Sequence, residues 1–193
     1  DPATSVMFPK GTLPELYKVP TAGGGTSQVL GTPAEELAVD KGGKFFLYQD
    51  SKGYEDPLRK HHTSSITRDL WRYDMKTGKH TNLTNRAGED RTPVLSPDGQ
   101  TVYCLSERNG GSFNVWKFPL NNPAQATQVS NFKTNPVRFL SMASNGTLCY
   151  TYDGEIYTQK DGGKPSKVNI SLYYDDGDPL TRLAFSRGAT SAE

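Results

Sequence analysis

The densest concentration of reactive side chains lies between Ser51 and Thr67 and just beyond, where Arg59, Lys60, His61, His62, Ser64, Ser65, Arg68 and Asp69 crowd together. Cations and neutral donors grouped in this way can receive a carboxylate, with arginine supplying a planar two-pronged fork. Arg59, Lys60, His61, His62 and Arg68 are therefore the candidate contacts for the charged end of a peptide. The competing interpretation is a solvated insertion that caps the edge of a sheet, and it is the more economical of the two. Serine, histidine and aspartate in one segment also raise hydrolytic chemistry. A serine elbow needs a sharp strand-to-helix turn flanked by glycine, which neither Ser64 nor Ser65 has, so no catalytic residue is assigned. Metal binding fares no better. Adjacent residues of an extended strand, such as His61 and His62, point to opposite faces, and the remaining histidine is the distant His80. The expectation is no metal and no cofactor.

A loop of this kind needs a rigid frame, and the frame is written in short strands. Leu95 closes one strand, Ser96-Pro97-Asp98-Gly99 makes a turn, and Thr101 to Leu105 runs back as another. Pro97 presets the backbone for the second turn position, Asp98 can bond local N–H groups, and Gly99 accepts a conformation that a branched residue resists. Phe113 to Phe118 follows as a third strand of alternating character. With 19 glycines and 13 prolines and no sustained apolar period of a helix, the chain is expected to be all-β.

The strands repeat. Asp40-Lys41-Gly42-Gly43, Ser96-Pro97-Asp98-Gly99 and Ala143-Ser144-Asn145-Gly146 each precede an apolar strand, and the glycines at 43, 99 and 146 are spaced by 56 and 47 residues. A second column of an apolar residue followed by an aromatic runs through Leu16-Tyr17, Leu70-Trp71, Val115-Trp116 and Ile156-Tyr157. Recurrence at one place in every unit assigns these aromatics to packing between units rather than to a stacking platform. Four short strands per unit at this period predict a partial β-propeller. The units are 1–31 (partial), 32–85, 86–130, 131–172 and the start of another at 173–193. A blade cannot bury both faces alone, so the segment is expected to be continued by further blades and, in isolation, to form a homo-oligomer or to melt easily.

Charge and composition exclude several classes. The 22 basic residues nearly cancel the 21 acidic ones, so nucleic acid and anionic membranes are not expected partners. No apolar run is long enough to span a bilayer, and the first residues lack a signal-peptide pattern. Cys104 and Cys149 are expected to be small hydrophobes rather than a disulfide.

The Ser-Pro-Asp-Gly hairpin, with Ser106-Glu107-Arg108-Asn109-Gly110-Gly111 and Asn114-Val115-Trp116, resembles propellers of TolB-like, dipeptidyl-peptidase-like and tricorn-type proteins. The stretches Leu16 to Gly24, Arg59 to Trp71 and Asp153-Gly154-Glu155-Ile156-Tyr157 resemble the N-terminal propeller of bacterial tricorn-like serine proteases. That resemblance implies a non-catalytic channel or gate for oligopeptides, with peptides or the remaining domains of a longer chain as partners and catalysis carried elsewhere. It implies a cytoplasmic protein. A TolB-like binding propeller, with a periplasmic location, and the propeller of a dipeptidyl-peptidase-like enzyme are the alternatives.

Overall fold

The computed structural model describes residues 14–53, 56, 58–60 and 66–173, and the elements among them are all strands. His61, His62, Ser64, Ser65 and the expected start of a further blade beyond residue 173 lie outside the described residues. Sheet I pairs β1 (Leu16–Lys18) with β2 (Ser27–Leu30). Three four-stranded antiparallel sheets follow, each a simple meander. Sheet II holds β3 (Ala34–Val39), β4 (Phe45–Asp50), β5 (Leu70–Asp74) and β6 (His80–Asn82). Sheet III holds β7 (Asp90–Leu95), β8 (Thr101–Ser106), β9 (Asn114–Pro119) and β10 (Thr127–Gln128), and sheet IV holds β11 (Arg138–Met142), β12 (Leu148–Tyr152), β13 (Glu155–Gln159) and β14 (Ser166–Lys167). The first strands β3, β7 and β11 lie against one another in succession. They form the wall of a shared axis, and the molecule is a partial β-propeller.

The second strand of each blade explains why its sequence is apolar without alternation. In β4, Phe45 and Leu47 enter the core between sheets II and III, while Phe46 and Tyr48 enter the core between sheets I and II. In β8, Val102 and Cys104 face sheet II, while Tyr103 and Leu105 face sheet IV. Each strand thus serves two interfaces, and a buried side chain of this size contributes about 1.5–3 kcal/mol. Trp71, Trp116 and Tyr157 pack against these cores as the repeat requires. Tyr17 does not. It is half exposed and its hydroxyl donates to Glu15 at 2.7 Å, because the face of sheet I that it occupies meets no described neighbour. Cys104 is buried, Cys149 is half-buried, and both are free.

The hairpin turns close as their residues dictate. Gly43, Gly99 and Gly146 have φ of 63°, 71° and 80°, and their N–H groups donate to Asp40, Ser96 and Ala143 carbonyls at 2.8–2.9 Å. Asp98 Oδ1 accepts from Ser96 Oγ at 2.5 Å and from Gln100 N at 3.0 Å, which locks the Pro97 turn. A second recurrence has no turn residue to announce it. Glu36, Thr92 and Phe139, also spaced by 56 and 47 residues, adopt φ of 51°, 53° and 54°. Each opens a β-bulge where the pairing of the first strand with the second slips. The wall strands are sheet edges facing the axis. A bulge in each, and Pro93 in β7, protect these edges from pairing with further strands.

Candidate functional site

Glu35, Arg91 and Arg138 occupy one position of the repeat, immediately before the left-handed residues of the three bulges. With Glu36, Thr92 and Phe139 they rim a cavity of about 560 Å3 at one end of the wall strands. Leu58 and Arg68, from the insertion between β4 and β5, reach the same cavity. Further hollows of about 300 Å3 and 230 Å3 follow the same strands, the last bounded by the turns at Asp40, Pro97 and Ser144. The arrangement is a wall of three first strands with a charged mouth at the insertion end.

A carboxylate cluster holds the insertion there. Glu89, fully buried, accepts Arg59 on Oε2 and Arg68 Nη1 on Oε1, the latter at 2.9 Å. Arg59 Nη1 also donates to Glu107 Oε1 at 2.6 Å, and Glu107 Oε2 accepts the Glu89 N–H at 3.0 Å. Burial works against the charge of Arg59, but the hydrogen bonds and fields of Glu107 and Glu89 outweigh it and hold the guanidinium more firmly protonated than usual. Arg59 and Arg91 both lie over the Phe113 ring, at 5.2 and 4.2 Å. Burial lowers Arg91, Glu89 opposes this, and the neighbouring Arg138, Arg68 and Arg59 add to the lowering. Arg138 Nη2 donates to the Leu58 and Arg59 carbonyls at 2.7 and 3.3 Å, so the insertion of blade II is tied to blade IV across blade III. Gln49 spans the first interface, donating to Glu35 Oε2 at 3.1 Å and accepting the Thr92 N–H at 2.9 Å.

Of the sequence candidates, Arg68 lies in the mouth, Lys60 is exposed next to Arg59 in the sequence, and His61 and His62 fall outside the described residues. Arg59 differs from expectation: its guanidinium is enclosed and committed to Glu89 and Glu107. Arg91, Arg138 and Phe139 were not singled out by residue type. Their signal was positional, since they recur with the spacing of the turn glycines. Phe139 is 70% and Leu58 59% exposed, so the mouth offers apolar surface beside fixed cations. That combination can hold a ligand that carries both a carboxylate and an apolar group. Among the described residues no cluster of His, Cys, Asp or Glu is disposed to hold a metal ion, and no helix is long and apolar enough to cross a membrane.

No protein-family model matches the chain. The uncharacterized peptidase YuxL of Bacillus subtilis is 24% identical over 131 residues, which is 64% of this chain and 20% of that protein. Among solved structures, tricorn protease superposes with a TM-score of 0.69 at 18% identity, over 90% of this chain and 16% of its own. Putative TolB from Agrobacterium tumefaciens superposes with a TM-score of 0.62 at 21% identity, over 79% of this chain and 55% of its own. The chain thus spans a fifth or less of the two peptidases it matches. These identities establish architecture rather than activity, and in architecture the chain is a segment of a β-propeller of the TolB and tricorn type.

Proposed function

We propose that this chain is the non-catalytic propeller of a larger, tricorn-like serine peptidase, and that its channel admits or sieves oligopeptides for an active site carried elsewhere in the protein. The observation that supports this most directly is the mouth itself, where exposed Phe139 and Leu58 stand beside Arg68, Arg91 and Arg138 on the propeller axis. An incoming peptide would meet Arg68 and Lys60, with His61 and His62, as its polar contacts, while Arg59 positions the insertion that presents them. The blade limits 32–85, 86–130 and 131–172, with partial units at 1–31 and 173–193, belong to the same proposal, as does a cytoplasmic location. The sequence match to a peptidase favours this reading. A second reading, a TolB-like propeller that recruits protein partners without an enzyme, is favoured by the match that covers over half of a TolB chain and would carry a periplasmic location.

Hydrolysis of oligopeptides by the full-length protein distinguishes them. Phe139→Asp is expected to raise KM by roughly tenfold and leave kcat unchanged, because the mouth contributes binding but no chemistry. An unchanged KM would remove the channel role. Absence of any peptidase activity in the full-length protein would favour the binding module, and activity residing in the 193-residue segment would overturn the non-catalytic assignment.

A further inference from the structure

A separate groove of about 360 Å3 lies between sheets II and III on the side of the hairpin turns, away from the charged mouth. Arg72 of β5 reaches into it, its guanidinium 4.4 Å above the Phe45 ring, with Nε enclosed and without an acceptor among the described residues. Arg72 shares its strand face with Leu70, which is buried in the core between these two sheets, so its direction is set by the fold.

The next interface is an internal control. Lys117 follows Trp116 as Arg72 follows Trp71, and it points from sheet III toward sheet IV. There its Nζ donates to Asp161 Oδ1 at 2.7 Å. Asp161 lies four residues after Tyr157, and the residue four after Trp116 is Leu120. The first interface therefore keeps the cation and has an aliphatic side chain where the second has its carboxylate. Leu120 lines the groove.

We propose that this groove receives a carboxylate from outside the chain, borne by an acidic loop of a partner protein or domain, which sits beside Arg72 as Asp161 sits beside Lys117. A guanidinium held over an aromatic ring is attracted to the ring face and still has N–H groups to offer a carboxylate. Lys44 and the amides of Gln100 and Asn121 stand at the same groove and add charge and donors. Asp40 and Asp98 also line it, but each is engaged by its own turn. Asp40 Oδ2 accepts from Gly42 N and Lys44 N at 3.1 and 3.3 Å, and Asp98 from Ser96 and Gln100. Asp74, two residues from Arg72, is held by the N–H groups of Lys76 and Thr77 at 3.1 and 2.8 Å. These carboxylates repel an anionic ligand, which makes the direction of their removal a test in itself.

Binding of fluorescently labelled hexaglutamate to the full chain, followed by anisotropy, tests the proposal. Arg72→Ala is expected to weaken binding by about tenfold or more, and Arg72→Lys by less, since lysine keeps the charge but loses the planar fork. Lys117→Ala should leave it unchanged, because that cation is already paired. Leu120→Asp should weaken binding while raising Tm, by supplying the carboxylate from within. Asp98→Asn should tighten binding a few-fold and keeps the test decisive if Arg72→Ala fails to fold. Equal affinity in the wild type and the Arg72 variants would overturn the proposal. So would saturable binding of inorganic phosphate with none of hexaglutamate.

Discussion

Glu89 shows how much one residue can commit. It is enclosed, it takes a guanidinium on each oxygen, and one of those guanidiniums arrives from the middle of an insertion. Removing one member of such a group leaves the others charged and dry, which costs far more than the group contributes as a whole. Glu89→Gln is therefore expected to destabilise the chain by about 3–5 kcal/mol in denaturant unfolding, and adding Arg59→Met should recover most of that loss. Recovery of less than a quarter would mean that Glu89 acts chiefly through Arg68. None of this was legible in the sequence. Arg59 sits in a polar stretch beside Lys60 and two histidines, and residue type there reads as solvent-facing. Its burial depends on Glu89 and Glu107, which lie 30 and 48 residues away and meet it only once sheets II and III are side by side.

At the scale of elements, two recurrent backbone features differ in how visible they are. The hairpin turns announce themselves because only certain residues suit them, and Gly43, Gly99 and Gly146 carry the required conformation without strain. The bulges are silent, because Glu36, Thr92 and Phe139 are not residues that favour positive φ. Opposite signs follow for substitutions at the two features. Gly99→Ala should lower stability by about 1–2 kcal/mol, the cost of left-handed backbone for a residue with a Cβ. Thr92→Gly should raise it by about 0.5–1 kcal/mol, since relief of strain in a β-branched residue exceeds the entropy lost to glycine. Thermal unfolding of both variants measures this. If Thr92→Gly were as harmful as Gly99→Ala, the bulge would owe its shape to the threonine side chain. The strands themselves were legible for the reason the turns were: the apolar runs of β4 and β8 are continuous because both faces are covered, and that pattern survives in the primary structure.

For the whole molecule, the arc of blades is what the repeat made most visible, and the charged rim of the wall strands what it made least so. Arg91 and Arg138 look like scattered cations until the spacing of Gly43, Gly99 and Gly146 is laid over them. Among the described residues the arc runs from sheet I to sheet IV. Ile170, Leu172 and Tyr173 stand 60%, 76% and 95% exposed beyond sheet IV, and apolar surface of this kind favours contact with another chain. The 193-residue segment is expected to sediment as a concentration-dependent mixture of monomer and larger species. A single monomeric boundary across a hundredfold dilution range would show that this exposed apolar surface does not drive association.

Because β4 and β8 each face two ways, neighbouring interfaces are not independent. A side chain lost from β8 loosens the seam with sheet II through Val102 or Cys104, or the seam with sheet IV through Tyr103 or Leu105, yet any shift of the strand itself is felt in both. Sheet III, flanked by a four-stranded sheet on either side, is then the keystone of the arc. Protection of its amides from solvent exchange should outlast that of its neighbours, and opening should advance inward from the termini one wedge at a time.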